Sequence, residues 1–329
     1  MVEFSRPVAA PPVEGHVDCV IIGAGPAGMS AGLNLVRARR RVLMIDSNRP
    51  RHSATLKSHG FLTRDGVSPI ELRTMGRAEF QAYPTALFQQ ALVTSVTLAD
   101  SAEAPADRSG DRPAYRVQAS AIRGAGKVDV TASSVLIAAG ISETLPDLPS
   151  VKAFYGTSLH SCVECDGFER SDEPLALIGE SDDLAERALL ISQWSSDLIV
   201  FTNGVGTVSA ADEASLAARG IRVERRKIAD VVGDRSGLTG VQLVDGEVIA
   251  RTGGFVRPLW QTKLEYAASL QVPETPDGWI EADADGRTDV PGIYAAGDVV
   301  PPGPHQLIVA AGEGARAAAV INRYLIGSL

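Results

Sequence analysis

Residues 17–28 read Val17-Asp18-Cys19-Val20-Ile21-Ile22-Gly23-Ala24-Gly25-Pro26-Ala27-Gly28, a short apolar run ending in a glycine turn. An Ala/Leu-rich helical pattern follows to Arg40. A second apolar run, Arg41-Val42-Leu43-Met44-Ile45, then ends in Asp46 and Ser47, with Asp46 18 positions after Gly28. Strand, glycine turn, helix, and a strand closed by an acid are the fingerprint of a dinucleotide-binding unit. Gly23 allows the tight turn, Gly25 lets a pyrophosphate approach the backbone, and Gly28 lets helix and strand pack closely. Pro26 and Ala27 complete the turn, where the helix N-terminus offers unpaired N–H groups and a positive dipole end to phosphate. Asp46, with Ser47 beside it, is placed to accept hydrogen bonds from the ribose hydroxyls.

The pattern returns once. Leu175-Ala176-Leu177-Ile178 runs into Gly179, a helix extends to about Trp194, and another strand follows at Leu198–Phe201. Between the two units, β-type runs at 92–96, 115–119 and 127–130 surround a polar insert, 99–112, that reads as a solvated hairpin loop. The apolar run 135–139, ending at Gly140, closes the first part, and 142–150 reads as a linker. Arg251-Thr252-Gly253-Gly254 reads as a return linker, and Val290-Pro291-Gly292-Ile293-Tyr294-Ala295-Ala296-Gly297-Asp298 precedes a last Ala-rich helix. The expected fold class is α/β: two Rossmann-like dinucleotide-binding domains of three-layer ββα type, the second inserted into the first. The expected bounds are a flexible tail at 1–16, a discontinuous first domain at 17–146 and 253–329, and an insert at 150–250.

Composition agrees with this architecture. A chain of 329 residues suits two domains. It is 45% hydrophobic but only 5% aromatic, with 32 Gly, so its core is built from small aliphatic side chains close to glycine backbones. Lys and Arg number 31 against 40 Asp and Glu, a net charge of −9, with no long basic run, which argues against nucleic acid and anionic membrane as partners. No stretch approaches the ~18 apolar residues of a membrane span and the N-terminus has no apolar signal core, so the expected location is cytoplasmic.

Three cysteines cannot form a secreted disulfide framework, yet Cys162 and Cys165 make a CxxC pair, which in a cytosolic chain points to redox chemistry or half of a metal site. The zinc reading of His160, Cys162 and Cys165 fails on ligand count. Cys19 alternates inside a buried strand and reads as core. His160 reads as a packing or hydrogen-bonding residue rather than one that tunes Cys162, and Glu164, between the cysteines, disfavours a thiolate by charge repulsion.

Taken together, the GAGPAG turn, the Cys162-Val163-Glu164-Cys165-Asp166-Gly167 segment, and Gly297-Asp298 with Gln306 beyond it resemble the two-dinucleotide-binding-domain flavoproteins, and more closely the low-molecular-weight thioredoxin reductases. The resemblance covers nearly the whole chain after the tail. It implies that the first domain binds FAD, with Asp298 at the ribityl or phosphate region. The helix opening near His305-Gln306-Leu307 would then point its N-terminus at the flavin N1/O2 edge. It implies that Cys165 faces the flavin, that Cys162 attacks the partner's disulfide, and that Asp166 is the acid/base of the exchange. A thioredoxin-like protein or small dithiol as partner and a homodimer are further implications. The segment Ser58–Gly66 is expected along the FAD, with His59 or Arg64 near the isoalloxazine or pyrophosphate.

The second unit departs from that family. Where its members carry a GxGxxA turn for NADPH, this chain reads Gly179-Glu180-Ser181-Asp182-Asp183-Leu184. Ser181 replaces the glycine at the pyrophosphate, Leu184 replaces the small packing residue, and Glu180, Asp182 and Asp183 cap a helix whose dipole would otherwise attract phosphate. After the next strand, Thr202-Asn203-Gly204-Val205-Gly206 has no arginine pair for a 2′-phosphate; Arg225-Arg226 comes later. The expected function is therefore FAD-dependent thiol-disulfide exchange with a degenerate NADPH site, fed by another donor such as reduced ferredoxin or another flavin. The alternatives are a dithiol oxidase using O2, an ordinary NADPH-dependent thioredoxin reductase, and a flavin-binding sensor without turnover. Asp166 leans toward the reductase, because the dithiol oxidases commonly carry His there.

Overall fold

The computed structural model describes residues 15–51, 53–100, 112–122, 127–301 and 303–327. Most of the expected tail and residues 101–111 of the polar insert lie outside the described residues. The chain divides into two compact units: the described parts of 1–51, 70–142 and 261–329, and those of 52–69 and 143–260.

In the first unit, parallel strand segments stand in the order 86–90, 42–46, 19–22, 135–137, 293–295. This is the doubly wound arrangement in which the first strand is central. Val17, Cys19, Val20 and Ile21 are fully buried, because both faces of a parallel sheet are covered. The strands Ala86–Leu98 and Val128–Ile137 serve two layers: one half of each lies in the parallel sheet, and the other half pairs antiparallel with Tyr115–Ala121. Residues of the helices Pro26–Arg37 and Leu307–Ile326 pack with Cys19, Ile21, Met44 and Leu136 on one face, while Val20, Ile22 and Ile137 face the antiparallel layer. The two helices approach closely. A β-carbon on Gly314 would stand 2.0 Å from the Ala27 carbonyl oxygen.

The second unit repeats the plan. Its main sheet has five parallel strands, in the order Arg222–Glu224, Leu198–Phe201, Leu175–Ile178, Gly253–Val256, Leu159–His160. The helices Leu184–Ile191 and Ala210–Ala217 pack on one face, and the antiparallel strands Ile228–Asp234, Gly237–Leu243 and Val248–Ala250 cover the other. The two-domain α/β class, with the second unit inserted in the first, is what the chain forms.

Its boundaries differ from those expected. Gly253 and Gly254 are not a return linker but the start of a central strand, and the chain leaves the second unit only at Gln261. The glycines are there for proximity: a β-carbon on Gly254 would lie 2.1 Å from the Ala176 carbonyl oxygen, the close backbone approach that glycine in a strand often marks. The segment 142–150 also contains a strand, Ser142–Thr144, which pairs with Leu259–Gln261 in a two-stranded ribbon where the chain passes between units. His16, placed in the tail by the sequence reading, begins the first strand, His16–Ile22, with its ring nitrogens against Thr131 and Ser133.

Candidate functional site

The glycine turn of the first unit assigns a different physical task to each glycine. Gly23 has φ of +105°, and a β-carbon on it would stand 2.3 Å from the Ala138 carbonyl oxygen; on Gly28 it would stand 2.0 Å from the Gly23 carbonyl oxygen. Both are required by the protein's own packing. Gly25, the N-cap of the helix Pro26–Arg37, has no atom within 4 Å of such a β-carbon, so its bareness leaves open space beside the helix end. That end carries no side-chain cap and no acid in its first turn, so the helix offers its unpaired N–H groups and positive end to an anion. The arrangement fits a pyrophosphate.

Asp46 is engaged within the protein. Its Oδ2 accepts from the Ala24 N–H at 2.8 Å, holding the glycine turn onto the end of the second strand, and its Oδ1 accepts from the Asn48 N–H at 2.7 Å and from Arg73 Nη2 at 2.9 Å. A carboxylate has about four lone-pair sites, so one remains for a ribose hydroxyl. Asp298 follows Gly297, whose φ is +80° and whose N–H donates to Glu313 at 2.8 Å. The Asp298 carboxylate pairs with Arg51 at 3.0 Å. Gln306 is the N-cap of the last helix, which begins at Leu307 without a side-chain cap or an acid in its first turn. The His305 ring lies 6.2 Å from that of Trp279. Two uncapped helix N-termini, an open glycine and a carboxylate with a lone pair to spare in one unit fit a dinucleotide of the FAD type. Arg51 and Arg73 escaped the sequence reading, since nothing in the local sequence marks a partner 247 or 27 residues away.

Cys162 and Cys165 are joined as a disulfide. They sit just past the end of the strand Leu159–His160, on the one-turn helix Val163–Asp166, for which Cys162 is the N-cap. The Asp166 N–H donates to the Cys162 carbonyl at 3.2 Å. Gly167 ends the turn where a β-carbon would stand 2.6 Å from the Val163 carbonyl oxygen and 2.9 Å from the Trp194 ring. The Asp166 carboxylate lies 3.1 Å from His160 Nδ1, and His160 Nε2 lies 3.0 Å from the Thr157 carbonyl oxygen. Glu164 is exposed, with Oε2 3.9 Å from Cys162 Sγ. His160 is thus a hydrogen-bonding residue, as expected, but its partner is the candidate acid/base. Cys19 is buried, and burial pushes its thiol up to about 12.

His59 belongs to the second unit, 3.5 Å from Asp65 and 3.3 Å from Glu169, both carboxylates. Its loop is seated there by contact, with the Ala54 carbonyl against Gly156, where a β-carbon would stand only 2.3 Å away. Arg64 donates to the neighbouring Thr63 carbonyl.

The second glycine turn is filled by protein. Leu184 is fully buried, and β-carbons on Gly179 and Gly206 would stand 2.7 and 2.8 Å from its two methyl carbons. Glu180 Oε1 accepts from Asn203 Nδ2 at 2.6 Å, and Asp182 accepts from the Thr207 hydroxyl. These bonds tie the loop after Leu175–Ile178 to the loop after Leu198–Phe201. The three carboxylates do not cap the helix as expected: Asp183 occupies the N-cap position without a side-chain capping bond. It is held by Ser181, Arg187 and Arg257, the two arginines each at 2.8 Å. Burial alone would raise its carboxyl, and these partners outweigh burial and hold it below the usual range. Arg225 pairs with Glu213, and Arg226 with Glu224, Asp245 and Glu247.

Residues 17–314 match the family model described as pyridine nucleotide-disulphide oxidoreductase. The chain belongs to this family. Among curated relatives, it is 27% identical to a thioredoxin reductase of Coxiella burnetii (strain RSA 493 / Nine Mile phase I), over 94% of this chain and 97% of that one. It is 31% identical to a probable thioredoxin reductase of Arthroderma benhamiae (strain ATCC MYA-4681 / CBS 112371) over 199 residues, 60% of this chain and 46% of that one. Among solved structures, HlmI is similar at a TM-score of 0.86 and 35% identity, covering 94% of this chain and 93% of that chain. The protein is a thioredoxin-reductase-like, FAD-dependent disulfide oxidoreductase with a Cys162–Cys165 disulfide. Among the described residues, no helix is long and apolar enough to cross a membrane.

Proposed function

We propose that this oxidoreductase exchanges electrons with a thioredoxin-like protein or a small dithiol/disulfide through Cys162 and Cys165, and that it does not draw them from NADPH at its second unit. The observation that carries the second half is the closure of the loop pair around Leu184. A dinucleotide needs bare backbone at the turn and a gap between the two loops. Here Leu184 fills the space at Gly179 and Gly206, and Glu180–Asn203 and Asp182–Thr207 bridge the gap. Arg225 and Arg226, the adjacent arginines that follow the strand Leu198–Phe201 in sequence, are held by carboxylates.

FAD would be held by Gly23, Gly25, Pro26, Ala27, Gly28, Asp46 and Ser47 at the dinucleotide end and by Gly297, Asp298 and the helix start at His305, Gln306 and Leu307 at the flavin end, and when bound it supplies a two-electron store. The chain's own residues perform the exchange. Cys162 attacks or receives the partner sulfur, Cys165 closes or opens the internal disulfide, and Asp166 moves the proton that a departing thiolate requires. Reduced ferredoxin or another flavoprotein is the class of donor this reading calls for, and a homodimer in the cytoplasm accords with it.

A second reading runs the pair in the opposite direction, as a dithiol oxidase that passes electrons to O2. The contact between His160 and Asp166 favours it, because it sets an imidazole beside the exchange acid. Titration of NADPH and NADH into the FAD-loaded protein by calorimetry tests the shared premise. Binding no tighter than millimolar is expected, and micromolar binding would sink it. Hydrogen peroxide formed from dithiothreitol and air at one equivalent per dithiol would select the oxidase.

A further inference from the structure

His160 Nε2 stands 3.0 Å from the Thr157 carbonyl oxygen, which also accepts from Arg170. A carbonyl oxygen only accepts, so Nε2 carries a hydrogen. In a neutral ring Nδ1 is then a bare lone pair, and it faces Asp166 Oδ1 at 3.1 Å. If Asp166 were ionised as well, two lone pairs would meet where the two side chains are only 9% and 16% exposed, a costly arrangement with little water to relieve it. One more proton, on Nδ1 or on Oδ1, turns the contact into a hydrogen bond.

We propose that His160 and Asp166 form a dyad holding one shared proton beside the Cys162–Cys165 pair, with His160 the positioning residue that keeps Asp166 loaded as a proton donor. This rests on the reading of Cys162, Cys165 and Asp166 given above. In exchange with a partner disulfide, the Cys162 thiolate forms a bond to one partner sulfur. The partner's S–S bond breaks, and its second sulfur leaves with the electron pair. The dyad gives that sulfur its proton and is left as an Nε2–H imidazole beside a carboxylate. Cys165 then returns a proton to the dyad as its thiolate attacks Cys162 Sγ, which closes the internal disulfide and releases the first partner sulfur as a thiolate. The cysteine pair is oxidised by two electrons, the partner is reduced by two, and the dyad ends as it began. Charged side chains on the adjoining segments are Glu164, on the same short helix, Glu169 and Arg170 on the turn that follows, and Glu173, the partner of Arg170. The strand Gly253–Val256 presents only the uncharged ring of Phe255 to His160.

The test compares two disulfides in single turnover with the FAD-loaded protein, its cysteines first reduced by dithiothreitol and desalted. The dialkyl disulfide of 2-hydroxyethanethiol leaves as a basic thiolate that needs a proton, whereas an aromatic disulfide leaves as a thiolate stable without one. His160→Asn keeps a hydrogen-bonding group near Asp166 but cannot carry the proton. It is expected to slow the dialkyl exchange about 10- to 100-fold, within the range of a lost general acid, and to leave the aromatic exchange within about twofold. Asp166→Asn is expected to show the same split. Equal slowing of both disulfides by His160→Asn, or no slowing, overturns the proposal. If Asp166→Asn shows the split and His160→Asn does not, the dyad fails while the role of Asp166 survives. Undiminished exchange by Cys162→Ser would overturn the underlying reading instead. Histidine 15N NMR of the unsubstituted protein is an independent check: Nε2 is expected to stay protonated throughout, and a neutral Nδ1–H tautomer for His160 overturns the dyad.

Discussion

Glu180 Oε1 accepts a 2.6 Å hydrogen bond from Asn203 Nδ2, joining the loop after one central strand to the loop after its neighbour. In a doubly wound sheet, ligands bind in the crevice outside the carboxyl ends of the strands. Side chains of this protein occupy that place in the second unit, and Leu184 lies beneath them.

Leu184→Ala should therefore behave as a core deletion. Gly179 and Gly206 have no side chains to collapse into the space, so the expected cost is toward the upper end of about 2–5 kcal/mol. Denaturant unfolding of the FAD-loaded protein would register it as a lower midpoint, and an unchanged midpoint would mean that Leu184 is not packed as described.

The first glycine turn yields a contrast between neighbours. Gly28→Ala forces a β-carbon against the Gly23 carbonyl and should cost about 1–3 kcal/mol, the range for overpacking, as well as flavin content. Gly25→Ala meets no protein atom, so it should change stability of the flavin-free protein by no more than about 0.5 kcal/mol while lowering FAD retention. Thermal unfolding of the apoprotein beside the flavin-to-protein absorbance ratio separates the two.

Asp183 carries a pH signature. Its carboxyl is held low in the folded state, burial notwithstanding, by Ser181, Arg187 and Arg257. A depressed folded value means that the stabilisation is present above the unfolded value of about 4 and is lost as pH falls through the folded value. Asp183→Asn should be less stable than the unsubstituted protein at neutral pH, and the gap should narrow below about pH 4. A gap that stays constant with pH would show that the ion pairs contribute nothing.

Thiol counting distinguishes the three cysteines. After reduction, the native protein should react with a disulfide reagent at two thiols, Cys162 and Cys165. Cys19, buried and raised to about 12, should appear only on unfolding, and three fast native thiols would contradict its burial.

What could be read from the sequence was local. Gly23, Gly25, Gly28 and Asp46 lie within one βαβ unit and Cys162 and Cys165 within one turn, so spacing brings them together, whereas Asp166 beside the cysteines is marked only by the family resemblance. Residues that meet through the fold were not legible: Arg51 with Asp298, Arg257 with Asp183, and Leu184 between Gly179 and Gly206. Gly253-Gly254 was read as a linker because glycine marks both turns and close strands, and only the Ala176 backbone beside Gly254 decides between them. The acidic run 180–183 reads in the sequence as bare charge at a helix end, whereas the fold gives each carboxylate a partner: Asn203 for Glu180, Thr207 for Asp182, and Ser181, Arg187 and Arg257 for Asp183. Asp183 is neutralised by arginines distant in sequence or a helical turn away, and the loop bridges rather than bare charge carry the argument.

The central claim is that electrons reach this protein through its cysteines or from another donor, not from NADPH at the second unit. Anaerobic stopped-flow mixing of the FAD-loaded protein with NADPH, and separately with dithiothreitol, tests it most directly. Bleaching of the flavin band by dithiothreitol, abolished in Cys165→Ser, with no bleaching by stoichiometric NADPH on the same timescale is the expected result. Rapid stoichiometric bleaching by NADPH would contradict the account.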